Sequence, residues 1–226
     1  MVKAKRKPLE EISGSLKGRK KVLVAGCGGC VSVCLAGGQK ETGLLCDELA
    51  LALPGCTLDE TTIERQCNTA FLTELDAQVP GHDALLSMAC GAGVQFLAER
   101  YPDIAVFPAV NTLFIGVDRE VGVYEEKCRA CGDCALAYTG GICPVTRCAK
   151  SIFNGPCGGT NKGKCEVDKD IPCAWNDIYE RLKKQGRLDN ILTLRPRMAW
   201  RNNIQGVMVQ AGFEGRYPKA KEPVKS

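Results

Sequence analysis

Between Cys128 and Cys173 the chain places eight cysteines, Cys128, Cys131, Cys134, Cys143, Cys148, Cys157, Cys165 and Cys173, in a glycine-rich stretch with little hydrophobic periodicity. Such a stretch cannot build a conventional apolar core, so something inorganic must take the place of one. Fifteen cysteines stand against one histidine, His82, in 226 residues. Any metal held here is therefore held by sulfur. The opening segment, MVKAKRKPLEEISGSLKGRK, starts basic but lacks the apolar run of roughly 7–15 residues that a secretory signal needs. No stretch approaches the roughly 18 apolar residues of a membrane span. The sequence thus reads as a cytoplasmic chain, where clustered cysteines ligate metal more often than they cross-link, and an odd cysteine total fits a fully paired disulfide framework poorly.

Spacing narrows the metal. Cys128, Cys131 and Cys134 form Cys-x2-Cys-x2-Cys, the bacterial ferredoxin run, in which a tight turn points successive sulfurs at neighbouring irons of one cubane. Zinc ribbons show two separated Cys-x2-Cys knuckles instead. The Cys143-Pro144 pair echoes the end of a ferredoxin run, although eight residues precede it rather than three. The remaining spacings are not diagnostic, and zinc stays open for the second set. Eight sulfurs make two four-ligand sites. Cys128, Cys131 and Cys134 with a remote cysteine such as Cys173 would form one, and the other four would form the second.

Upstream, KKVLVAG (20–26) is an apolar run ending in glycine, a buried parallel strand entering a turn. A helix is predicted over 42–55, then strand 61–67, helix 70–79, strand 82–91, helix 93–101 and a strand from 103. This alternation predicts an α/β domain, a flavodoxin/Rossmann-like parallel sheet, followed by a second, small, cysteine-rich, metal-stapled domain. Ligands of open parallel sheets sit beyond the carboxyl ends of the strands. Cys27 and Cys30 follow the first strand, Cys67 the second and Cys90 the third; Cys34, one turn past Cys30, is a fifth candidate. Four of these five are expected to hold a metal. Cys46 and Cys56 read as small core residues. The GCGGCV glycines do not complete a dinucleotide fingerprint, since Val31 replaces the third small residue and no acidic residue ends a second strand. His82 follows Pro80-Gly81 and reads as a surface residue rather than a catalytic base.

The expected domains are a basic tail (1–20), the α/β domain (21–124), the cysteine-rich domain ending in a helix (125–190) and a C-terminal arm (191–226). The formal charge of +4 counts thiols as neutral, and metal-bound thiolates would offset it. Neither charge nor motif points to nucleic acid.

The strings GCGGCVSVCLAGG, RQCN, AVNTLF, CRACGDCALAYTGGICPVTRCAKSIFNGPCGG, GKCEVD and CAWNDIYERLKKQGRLD together resemble the MetV subunits of the iron-sulfur methylenetetrahydrofolate reductases of anaerobic bacteria, over about residues 21–189. The resemblance implies a non-catalytic subunit of an oxidoreductase complex in the Wood–Ljungdahl one-carbon pathway. It implies two or three 4Fe-4S clusters, with zinc in place of one as the variant, and a MetF-like flavoprotein partner that carries FMN and reduces 5,10-methylenetetrahydrofolate. A ferredoxin or another iron-sulfur protein would be the electron donor. A barrel such as that partner's takes about 250 residues, more than this chain has. Two other readings are a structural zinc subunit without redox role and a corrinoid or methyl-transfer accessory protein.

Overall fold

The computed structural model describes residues 1–198, 206–213 and 215. The chain divides into two compact units, Met1–Arg129 with Val145–Ser151, and Ala130–Pro144 with Ile152–Ser226.

In the first unit the chain runs Val2–Arg6 (β1), Leu9–Ser15 (α1), Lys21–Cys27 (β2), Cys30–Val33 (α2), Gln39–Ala52 (α3), Thr57–Ile63 (β3), Thr69–Leu72 (α4), Ala84–Ser87 (β4), Gly91–Arg100 (α5), Ala105–Pro108 (β5), Val110–Glu120 (β6) and Val123–Cys128 (β7). Four strands form a parallel sheet in the order β3-β2-β4-β5. β2 and β4 are buried along nearly their whole length, as the continuous apolar runs require. One face packs Val22, Val24, Leu86 and Met88 against Ile12 of α1, Leu16 just after it, and Leu45 and Leu49 of α3. On the other, Leu23, Leu85 and Ile63 meet Leu72, Leu75, Val79 and Leu97. Each such side chain contributes about 1.5–3 kcal/mol by leaving water. The sheet order reverses at β2, so the crevice between the carboxyl ends of β2 and β4 is the switch point of the fold.

Three segments differ from the sequence expectation. Residues 1–20 are structured rather than a solvated tail: β1 pairs antiparallel with β6, Ala4 is fully buried, and α1 sends Ile12 into the core. The alternation in VKAKR is only two apolar positions long, and its lysines are what an edge strand carries toward water. The segment near Tyr124, expected to open the second region, instead continues β7, which pairs with β6. The predicted helix over 70–79 is a single turn, α4, followed by a 3-10 turn at Thr73–Leu75. Thr73 Oγ1 donates to Ala70 O at 2.6 Å, a local bond that competes with helix extension.

A short helix, Pro144–Arg147 (α6), has all but its first residue in the first unit; among the described residues the second unit has one substantial helix, Ala174–Lys184 (α7), and a hairpin of Thr160–Asn161 (β8) and Lys164–Cys165 (β9). Lys162 and Gly163, at the hairpin tip, both have positive φ, as a two-residue turn of this hand requires. α7 buries Ala174, Trp175, Ile178 and Leu182, which with Ala135, Thr139, Ile142 and Pro144 are the buried residues of this unit among those described. Trp175 Nε1 donates to Ile152 O at 2.9 Å, and Gly155 packs so closely on the indole that a Cβ there would lie 2.4 Å from Cε2. Of the predicted C-terminal arm, residues 199–205, 214 and 216–226 lie outside the described residues.

Candidate metal centre

The carboxyl edge of the parallel sheet is where the first set of predicted cysteines stands. Cys27 is the last residue of β2, Cys30 the first of α2, Cys67 follows β3, and Cys90 lies between β4 and α5 at the N-cap of the helix. The loop from Cys27 folds back on itself: Cys27 N–H donates to Gly37 O at 2.8 Å and Gly28 N–H to Ile63 O at 2.9 Å. Gly37 permits this, because a Cβ there would lie 2.1 Å from Met88 O.

Beneath the edge lies a network that sequence reasoning missed. Gln66 is fully buried; its Nε2 donates to Ala25 O at 2.8 Å and to Gly26 O at 3.0 Å, and its Oε1 accepts from Ser87 Oγ at 2.6 Å. Ser87 Oγ in turn accepts from Ala89 N–H at 3.2 Å. The residue before Cys67 is thereby tied to the ends of both β2 and β4.

Burial pushes the Cys27 thiol up; N–H groups of Gln66 and Gly29 partly offset this, and the neighbouring Cys67 and Cys90 thiols add to the rise. Cys34 is different. It is buried against β1, and its Sγ donates to Val2 O at 3.2 Å; burial raises it, Lys3 lowers it, and Cys30 raises it again. Cys46 is pushed up to about 12 by burial and by Glu60, and Cys56 is raised by burial and Asp83, as neutral packing residues away from the edge. His82 is also away from it: its Nε2 lies 2.9 Å from Asp59 Oδ2, beside Lys21 near the amino ends of the strands.

Of the second set, Cys128 ends β7 and belongs to the first unit with Cys148; Cys131, Cys134, Cys143, Cys157, Cys165 and Cys173 belong to the second. Thr146 Oγ1 donates to Lys127 O at 3.4 Å, so the segment that carries Cys148 lies against the strand that carries Cys128. Cys128 also lines, with Cys90, Val2, Gln95, Ile115 and Arg129, a cavity of about 450 Å³ in the first unit.

In the second unit Ala130 and Gly132 both adopt positive φ, giving the tight turn that the Cys-x2-Cys-x2-Cys spacing demands. Cys131 Sγ donates to Asp133 O at 3.7 Å. Gly159 N–H donates to Cys157 Sγ at 3.4 Å. Cys165 N–H bonds Ile171 O at 2.9 Å and Cys173 N–H bonds Gly163 O at 2.8 Å, which holds the last two cysteines on adjoining backbone. Cys173 is the N-cap residue of α7.

Among the described residues no three His, Cys, Asp or Glu side chains converge as a metal-binding group. The chemistry of the donor set nevertheless fits sulfur ligation: the candidate positions are thiols, His82 is elsewhere, and a backbone N–H already donates to one sulfur, Cys157.

Comparison with known proteins bears on the region that carries the second set. Residues 107–201 match a family described as "Methylene-tetrahydrofolate reductase C terminal". Over that span the chain is similar to that family. The span runs from β5 through the whole ferredoxin-like run and α7, and includes Cys128 to Cys173. No curated protein matches the chain. Among solved structures it is similar to an extracellular ligand-binding receptor from Verminephrobacter eiseniae, at 15% identity and a TM-score of 0.34, over 44% of this chain and 28% of that one. Among the described residues no helix is long and apolar enough to cross a membrane.

Proposed function

We propose that this chain is the electron-transfer subunit of a methylenetetrahydrofolate reductase, holding iron-sulfur clusters on its two cysteine sets and passing electrons to the flavin of a MetF-like partner. The observation that carries this reading is the run Cys128, Cys131, Cys134 inside the reductase-related span, with Ala130 and Gly132 at positive φ between its cysteines. The sheet-edge cysteines Cys27, Cys30, Cys67 and Cys90 are the ligands proposed for the first unit, with Cys34 the alternate for Cys67. The cysteines from Cys128 onward serve one or two further sites, and zinc at the second set, Cys143, Cys148, Cys157 and Cys165, is the structural variant of the same reading.

When bound, clusters of this kind supply one-electron transfer at low potential. The chain's own residues would give up thiol protons as they ligate, keep the buried Cys27 away from water, and direct N–H groups at sulfur. In the overall balance, two electrons from a reduced ferredoxin-type donor and two protons convert 5,10-methylenetetrahydrofolate to 5-methyltetrahydrofolate on the partner. The test is reconstitution of the full chain with a MetF-like flavoprotein under anaerobic conditions. Bleaching of the partner's flavin by reduced ferredoxin is expected to require this chain; full-rate bleaching without it would overturn the reading. A corrinoid or methyl-transfer accessory role would show instead as copurification with a methyltransferase.

A further inference from the structure

Among the described residues, Arg195 Nε is the buried side-chain donor left without a hydrogen-bond partner. Everything else about this residue is fixed. Its backbone is clamped to Asn154, with Asn154 Oδ1 accepting from Arg195 N–H at 3.0 Å and Asn154 Nδ2 donating to Arg195 O at 2.9 Å. The guanidinium lies between two rings, 4.7 Å from the centroid of Tyr138 and 5.2 Å from that of Phe153. One terminal nitrogen pairs with the Asp133 carboxylate, and the side chain is 14% exposed. All of these residues belong to the second unit.

Asp133 stands between Cys131 and Cys134, and its carbonyl accepts from Cys131 Sγ. A rigid cation is therefore fastened to the loop that presents two cysteines of the ferredoxin-like run, with one N–H held in reserve. Four thiolates around a 4Fe-4S core carry net negative charge, and cluster potential responds to charge and to hydrogen bonds on sulfur. A planar, permanently charged fork suits such a role better than a mobile ammonium.

We propose that Arg195 is a positioning residue for the metal site of Cys131 and Cys134: its Nε–H donates to the sulfur-ligated group bound there and its charge raises that group's reduction potential. This rests on the reading that the cysteines hold iron-sulfur clusters. It also assigns the start of the C-terminal segment to its own cysteine module rather than to a neighbour.

The test uses the full chain, reconstituted anaerobically with iron and sulfide, as wild type, Arg195→Gln and Arg195→Lys. Iron and acid-labile sulfide per chain are measured first, then midpoint potentials by EPR-monitored redox titration. The expected result is unchanged cluster content with one midpoint moved to more negative potential in Arg195→Gln, and a smaller move in Arg195→Lys, which keeps charge but not the fork. Equal content with unchanged midpoints and spectra would overturn the proposal. If Arg195→Gln loses iron, Arg195→Lys decides: a shifted midpoint supports the assignment and an unchanged one overturns it. Wild type that takes up zinc and no sulfide would overturn the underlying electron-transfer reading, and this proposal with it, before any substitution is considered.

Discussion

Gln66 shows how much one side chain decides at the sheet edge. Its amide fills two backbone acceptors and one hydroxyl in a site closed to water. Gln66→Leu would take a donor from Gly26 O and from Ala25 O, which keeps Met88 N–H, and an acceptor from Ser87 Oγ, which keeps Ala89 N–H, so a loss of about 1–3 kcal/mol is expected in a urea titration of the metal-free chain. A loss below about 1 kcal/mol would mean that water replaces the amide. Cys46 offers a pH test of opposite simplicity. Its folded-state pKa is raised to about 12 from an ordinary 9.0, so the protonated thiol is the folded form. The stability it contributes is complete below pH 9 and is lost as pH rises from there toward 12. Thermal melts of the metal-free chain are expected to show falling stability across that window, with a shallower fall in Cys46→Ala. The cysteines were legible in the sequence because spacing is a one-dimensional signal. Gln66 and Arg195 were not, because a lone amide beside charged residues and an arginine beside proline read as surface until the packing around them is known.

At the scale of elements, two close approaches set the local geometry. Gly37 lets the loop after β2 cross the end of β4, and Gly37→Ala would drive a methyl into Met88 O. The expected outcome is weaker metal uptake by the first unit together with a lower melting temperature; an unchanged melt would show that the loop can move aside. In the second unit α7 supplies most of the buried apolar surface, and Trp175→Ala is expected to cost about 3–5 kcal/mol, the range for emptying a packed aromatic site. The apolar stripe of α7 and the alternating strands and helices were readable because each repeats at its own period over several turns. β1 escaped notice because it is short, charged and partnered with the sequence-distant β6, a pairing that a linear reading does not contain; β7, which follows β6 across Val121-Gly122, escaped because its charged residues show no clear apolar alternation.

At the scale of the molecule, the two units differ in what holds them. The first has apolar clusters on both faces of its sheet, whereas the second relies on one helix face and a web of loop hydrogen bonds around six cysteines. Coupling of metal to folding should accordingly be uneven. Chelation of the loaded chain is expected to open residues 130–144 and 152–198 to limited proteolysis while residues 1–129 stay protected; equal protection of both units after metal removal would contradict this. The α/β plan and the placement of Cys27, Cys67 and Cys90 at one edge followed from strand order and loop position. The assignment of Cys128 and Cys148 to the first unit did not, since it depends on β7 and on a return of the chain that no local pattern announces. The most direct test of the central claim is the metal content of the strictly anaerobic chain, with EPR after dithionite reduction. Iron and acid-labile sulfide in matching amounts, about eight or more irons per chain with a cubane signal, is the predicted result. Zinc without sulfide or signal would contradict it.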